Sequence, residues 1–234
     1  MTAVKHPARY SKEIMPVLQR IIEAHRATVF GGCISVLDPF AGTGLIHSLA
    51  TDQVTTVGVE IEPEWAMLHP CTIIGDATHL HFQAGTFDMV VTSPTYGNRL
   101  ADHHDAKDPS ERRSYTHDLQ AMTGDRNRKL APNNTGTMLW THPQYRSLHR
   151  QAWAEVWRVL ARDGLFVLNV KDWINRGQVQ EVCAWHRETI TDIGFDLVAE
   201  EQVECPGLRY GTNAEVRVPY EMVYIFAKPK WARV

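Results

Sequence analysis

Three acidic residues recur in the first third of this 234-residue chain, each behind a short β-like run. Asp38 follows Cys33 to Leu37, Glu60 closes Thr55 to Glu60, and Asp76 follows Cys71 to Ile74. The first acid opens Asp38-Pro39-Phe40-Ala41-Gly42-Thr43-Gly44, with apolar residues before it and a helical pattern behind it. Glycines let a backbone pass close to a ligand, and a helix start offers unpaired N–H groups to an anion. Two common phosphate-binding patterns do not fit. A dinucleotide fingerprint needs a third glycine where the chain has His47, and a P-loop needs Lys-Ser/Thr where it has Leu45-Ile46. Glu60 can accept two hydrogen bonds from a ribose diol. Asp76, in Ile74-Gly75-Asp76-Ala77, can reach an adenine amino group. Any one of these acids alone could be a helix cap or turn residue. One after each of three successive strands is a much more specific pattern.

Holding the three acids together requires strands that share one edge, and the hydrophobic pattern supplies them. Ser11 to Ala27 reads as a helix with Ile14, Val17, Leu18, Ile21 and Ile22 on one face. Helices are expected from about Gly44 to Ala50, from Pro63, from Tyr145 to Leu160 and from Val179 to Ile193, the last stopped by Gly194. Further strands are expected at Phe87 to Thr92, Leu165 to Val170 behind a Gly164 turn, Phe195 to Val203 and Val216 to Lys228. The strands are apolar on both faces and alternate with helices, as in a parallel sheet covered on both sides. The expected fold class is therefore α/β, a single doubly wound Rossmann-like domain over residues 1–234. Residues 97–140 are the exception, being polar, without a sustained period, and rich in Gly, Pro and Asn. A structureless connection longer than ~15 residues is uncommon in a compact domain and is usually functional or mobile. This one leaves the end of the fourth strand, on the face where open α/β sheets bind ligands.

That strand ends in Thr92-Ser93-Pro94-Thr95-Tyr96-Gly97-Asn98-Arg99. Together DPFAGTG, VEIEPEW, GDAT and TSPTYGNR resemble the S-adenosylmethionine-dependent amino-group DNA methyltransferases, the N-4/N-6 family of small phage-type or bacterial enzymes. That family carries an FxGxG turn and an (Asp/Asn/Ser)-Pro-Pro-(Tyr/Phe) tetrapeptide. HPARYSKEI near the start resembles its cofactor-carboxylate segment. The resemblance spans roughly residues 5–96 and continues at Gly164 to Val170 and at EMVYIFAKP, Glu221 to Pro229. It implies a seven-stranded, mostly parallel sheet with an antiparallel last strand. It also implies S-adenosylmethionine as cofactor and S-adenosylhomocysteine as product, with no metal. The cofactor residues would be Tyr10, Asp38, Pro39, Phe40, Ala41, Gly42, Gly44, Glu60, Ile61, Asp76 and Ser93. The catalytic residues would be Ser93, Pro94 and Tyr96. In this chemistry an exocyclic amine is a poor nucleophile because its lone pair is spread into the ring. The Ser93 oxygen and Pro94 carbonyl would bind its N–H groups and free that pair, while Tyr96 stacks on the extruded base. The sulfonium presents its methyl in line, so positioning is the main task. The chain departs from the family at Thr95, which stands where the second proline belongs.

The resemblance implies DNA as partner, with cytosine-N4 as target ahead of adenine-N6. An RNA guanine-N2 methyltransferase and a non-catalytic S-adenosylmethionine-binding protein are the alternatives. The whole chain carries a net charge of −3, yet Gly97 to Arg150 holds nine Lys or Arg against six Asp or Glu. A local positive stretch on an acidic body can hold a polyanion. Asn98, Arg99, Arg112, Arg113, Arg126, Arg128 and Lys129 are accordingly the substrate-binding candidates, and the 97–140 insertion is expected to be mobile without DNA and to close over it. His79-x-His81 and His103-His104 lack a convincing set of partner ligands. Trp153 and Trp157, four apart on a helix, read as core. The four cysteines form no CxxC pair and read as reduced, mostly buried thiols. No apolar run of membrane-spanning length and no signal-like start appears, so a cytoplasmic protein is expected.

Overall fold

The computed structural model describes residues 10–97, 115–175, 177–205 and 218–231. A seven-stranded sheet forms the centre. Its strands are β1 (Ile34–Asp38), β2 (Val54–Glu60), β3 (Thr72–Ile74), β4 (Phe87–Thr92), β5 (Leu160–Val170), β8 (Asp196–Glu204) and β9 (Tyr220–Ala227). Their spatial order is β3-β2-β1-β4-β5-β9-β8. Pairings from β3 through β5 are parallel, whereas β9 runs antiparallel to both β5 and β8. This is the expected topology.

Successive side chains of a strand point to opposite faces, so a strand apolar at consecutive positions must be covered twice. The central strands obey this rule. Leu37, Val90, Phe166 and Leu168 face a layer built by α4 (Pro143–Val159) and α5 (Val182–Ile193), with Trp153 and Val156 at its heart. Their neighbours Val36, Met89, Val91 and Val167 face the opposite layer, where α1 (Ile14–Arg26) inserts Ile14, Leu18, Ile21 and Ile22. Trp153 is fully buried and Trp157 packs at the edge of the same layer, as expected of a core pair.

Several local readings are corrected. The insertion is not structureless, for it contains α3 (Tyr115–Thr123) and a 3₁₀ turn at Thr135–Thr137. Leu119 of α3 is buried against Trp65, which lies in the single-turn α2 (Pro63–Ala66). Only a few apolar residues make that contact, too few to give a visible helical period. Gly164 lies inside β5 rather than in a turn before it. The strand begins directly where α4 ends, and its kink is taken up at Asp163, which has φ +62°. The expected helix from Val179 starts at Val182, because β6 (Trp173–Asn175) and β7 (Gln178–Gln180) form a hairpin around Gly177. The segment from Leu45 to Leu49 is a 3₁₀ helix, not an α-helix. Cys183 and Cys205 are buried, but Cys33 and Cys71 are exposed. Among the described residues no helix is long and apolar enough to cross a membrane.

The packing makes a direct prediction. Phe166 is completely buried in the middle of β5, and Phe166→Ala should lower unfolding free energy by about 3–5 kcal/mol. Val198→Ala, at an exposed position on the edge strand β8, should stay within about 0.5 kcal/mol of the parent. Urea denaturation of both variants checks the difference.

Candidate active site

Strand order reverses at β1, which lies between β2 and β4, so the loops leaving β1 and β4 part and open a crevice. A cavity of about 520 Å³ occupies it. Tyr10, Pro39, Phe40, Ala41, Gly42, Glu60, Ile61, Asp76, Ser93, Pro94 and Tyr96 all line its wall. The structure thus gathers residues from five separate segments that the sequence reading had singled out.

Asp38 and Gly44 are outside the wall and serve it from behind. Asp38 is buried at the end of β1, where its Oδ1 accepts from the Phe40 N–H (3.0 Å) and the Thr92 hydroxyl (2.6 Å). Its Oδ2 accepts from the Tyr10 hydroxyl at 2.9 Å. Burial pushes the Asp38 carboxyl up to about 6 against the pull of these three donors. Gly44 adopts φ +81°, and a Cβ there would meet His47 and His69 at 2.9 Å, so only glycine fits this turn.

Glu60 closes β2 with its carboxylate in the wall. Its Oε2 accepts from the Gly42 N–H and its Oε1 from the Glu62 N–H, both at 2.9 Å. A carboxylate has about four acceptor positions, so both oxygens keep capacity for a diol. Burial raises the Glu60 pKa to about 7, the two backbone bonds opposing it. Asp76 accepts from the Thr78 N–H (2.8 Å), the Thr78 hydroxyl (2.7 Å) and Asn133 Nδ2 (2.7 Å). Burial works against its ionisation, but these donors prevail and hold it below the usual carboxylate range.

The Ser93–Tyr96 turn leaves β4 on the opposite side of the crevice. Ser93 Oγ and Tyr96 Oη lie 2.9 Å apart, and Tyr96 Oη reaches Asn169 Oδ1 and Glu221 Oε2 at 3.4 Å each. The three peptide carbonyls after Pro94 are each fixed. The Thr95 carbonyl accepts from the Tyr145 hydroxyl (2.6 Å), that of Tyr96 from Trp173 Nε1 (3.1 Å), and that of Gly97 from the Trp140 N–H (2.9 Å). The Thr95 hydroxyl pairs with that of Thr135 at 2.6 Å. Threonine therefore replaces the stiffness of a proline ring with a tether to the insertion. Gly97 has φ +60°, and a Cβ there would fall 2.5 Å from the Trp140 nitrogen. Behind the turn, Trp153 Nε1 donates to His186 Nδ1 at 3.2 Å. His186 Nε2 then carries the proton toward the Tyr145 hydroxyl, also at 3.2 Å, and burial keeps the ring neutral.

Residues 125–140 form a strap across this site. Glu62 is fully buried and accepts from Arg128 Nη2 (2.7 Å), the Ala131 N–H (2.8 Å) and Asn134 Nδ2 (2.8 Å). Arg128 also clasps Glu64 through Nε and Nη2 at 2.8 Å. Arg128 is thus corrected from a phosphate contact to a structural clamp, since two carboxylates neutralise it within the fold. Arg126 and Lys129 are exposed. Asn98, Arg99, Arg112 and Arg113 lie outside the described residues, as does the start of HPARYSKEI. Asn133, Thr135, His149, Lys171 and Glu221 also line the cavity. Only Glu221 had a sequence signal, as the first residue of EMVYIFAKP.

Among the described residues His47, His69 and Cys71 form one group with metal-type donor atoms, all within 4.8 Å of one another. Both ring nitrogens of His47 are bonded to hydroxyls, those of Thr56 and Thr72, at 2.8 Å each. The His47 and His69 rings stack at 3.9 Å, so their in-plane lone pairs do not converge on a shared ion. His47 is held as a neutral wedge, its pKa lowered by burial and by His69 to about 4.

No family model matches the chain, and no curated protein matches it. Solved structures do share its fold. TrmN from Thermus thermophilus superposes with a TM-score of 0.52 at 16% identity over 91% of this chain, which spans 48% of that protein. A SAM-dependent methyltransferase from Methanosarcina mazei gives 0.51 at 13% identity, covering 84% of this chain and 93% of that one. The [4+2]-cyclase SpnF gives 0.56 at 13% identity, with coverages of 96% and 86%. The chain has the Rossmann-like fold of S-adenosylmethionine-dependent methyltransferases. A cyclase on the same fold shows that the reaction must be argued from the site.

The raised carboxyls generate a pH prediction. A carboxyl whose folded pKa lies above its unfolded value stabilises the protein at low pH and loses that contribution as pH rises through the folded value. Without ligand, Asp38 and Glu60 should together lower stability between about pH 4 and pH 7. Glu60→Gln should therefore raise the melting temperature relative to the parent more at pH 8 than at pH 5. Equal shifts at the two pH values would overturn the assignment.

Proposed function

We propose that this protein transfers a methyl group from S-adenosylmethionine to an exocyclic amino group of a DNA base, with cytosine-N4 the preferred target. The observation that carries the reading is the shared cavity, whose wall joins Glu60 and Asp76 to the Ser93–Tyr96 turn. Such a space matches a nucleoside with its reactive sulfonium directed at an amine acceptor. Glu60 takes the ribose hydroxyls and Asp76, steadied by Asn133, the adenine amine. Ser93 and Pro94 receive the target amine, with the Tyr96 ring beside it. Arg126 and Lys129 meet DNA phosphates.

Labelled S-adenosylmethionine incubated with DNA, followed by digestion to nucleosides, tests this directly. N4-methylcytosine is the expected product. N6-methyladenine would move the target, and methylguanine from RNA alone would replace DNA with RNA. Cofactor binding with no methylated product would leave a binding protein.

Glu60→Ala should weaken cofactor affinity by about 1–3 kcal/mol, the cost of stranding buried polar partners. Ser93→Ala should abolish most methyl transfer while leaving affinity nearly unchanged, and calorimetry with the nucleoside assay separates the two effects. The Arg126→Ala/Lys129→Ala double variant should reduce the log–log salt slope of DNA binding by about two, roughly one per lost phosphate contact. An unchanged slope would place DNA elsewhere.

A further inference from the structure

We propose that Ser93, Tyr96 and Glu221 form a proton relay that carries the amine's surplus proton from the reacting end of the cavity to a carboxylate on β9. The inference rests on the amino-group methyl transfer proposed above. As the amine attacks, its nitrogen bonds to the methyl carbon and the carbon–sulfur bond breaks, its electron pair returning to sulfur. The thioether becomes neutral and the nitrogen takes on the positive charge, so one N–H proton must leave. In this chain the first acceptor is the Ser93 hydroxyl, where related tetrapeptides can carry a carboxylate. A neutral hydroxyl does not retain a second proton, so it must pass its own proton on.

The structure supplies a next carrier and a terminus. Tyr96 Oη lies 2.9 Å from Ser93 Oγ and 3.4 Å from Glu221 Oε2. The amine proton moves to Ser93, the Ser93 proton to Tyr96, and the Tyr96 proton to Glu221. Both hydroxyls end as they began, and Glu221 ends protonated. Its side chain is largely buried but lines the cavity, so it can return the proton to water after product leaves. The longer contact is of a kind that tightens when substrate binds. Asn169, fully buried, donates through Nδ2 to the Met222 carbonyl at 3.4 Å and so turns Oδ1 toward Tyr96. Asn169 Oδ1 and Glu221 Oε2 are alternative acceptors for the phenol's one hydrogen, and only the carboxylate can take the proton away.

The titratable groups around Glu221 are Tyr96 after β4, Lys171 after β5, Cys183 on α5 and Cys205 after β8, with the Tyr10–Asp38 pair beyond Tyr96. Burial raises both thiols and Tyr10, which keeps them protonated through the neutral range. Asp38 and Glu60 act on the cofactor side, so the rates are measured at saturating cofactor.

Tyr96→Phe keeps the ring and removes the hydroxyl, and Glu221→Gln keeps the shape and removes the base. Single-turnover methyl transfer should fall about 100-fold in each, within the range of general-base effects. The double variant should be no slower than the slower single, because both break one chain. In both variants the rate should rise with pH as hydroxide takes over the proton, while the wild type stays flat. Cofactor affinity should be unchanged in both. A Tyr96→Phe enzyme with wild-type rate and pH profile overturns the relay, even if Glu221→Gln fails to fold. Absence of any methylated nucleoside with the wild-type protein overturns the functional reading and the relay with it. Methylation by the wild type at a rate matched by Tyr96→Phe overturns the relay alone.

Discussion

The buried carboxylate of Asp38 is the joint on which the site depends. It gathers the turn after β1 through Phe40, the end of β4 through Thr92 and the N-terminal segment through Tyr10. These are the pieces that must meet if a ligand is to lie across the strand-order reversal. A buried carboxylate is costly unless hydrogen-bonded, and the three donors lower that cost while fixing three chain segments relative to one another. The sheet supplies the direction of the two loops, and Asp38 supplies their spacing.

A second buried carboxylate, Glu62, does for the insertion what Asp38 does for the core. Its backbone N–H steadies Glu60 while its side chain holds Arg128, Ala131 and Asn134. From there the strap continues to Asn133 on Asp76 and Thr135 on Thr95. One run of chain thus touches both Asp76 and the Ser93–Tyr96 turn, on opposite sides of the cavity. The Thr95–Thr135 pair turns a departure from the family pattern into an added contact between those halves.

Much of this fold was legible because its strands are apolar at consecutive positions and its helices repeat at helical spacing. Val36-Leu37 and Phe166-Val167-Leu168 declare a sheet covered on both faces, and the three acids mark one end of it. What escaped was structure set by tertiary contacts. The α3 helix rests on Leu119 against Trp65, partners 54 positions apart with no local period to announce them. Arg128 looked like a surface cation because its neighbours Arg126 and Lys129 are cations. Its carboxylate partners lie more than sixty positions away. Asn133, Thr135 and Glu221 belong to the cavity only because the strap and β9 bring them there. Tyr96 shows the same limit, since its type suggested a stacking ring and the fold added a hydroxyl network.

The strap also sets how this chain can diverge. Changes in length between Glu60 and Glu64 would shift the cavity wall at Glu60 and the strap anchor at Glu62 together. Changes between Asn133 and Gly97's partner Trp140 would pull on Asp76, Thr95 and the exit of the β4 turn at once. Drift in sequence length is therefore least constrained where neither carboxylate anchor is involved. The two carboxylate anchors thus keep both sides of the cavity in fixed register.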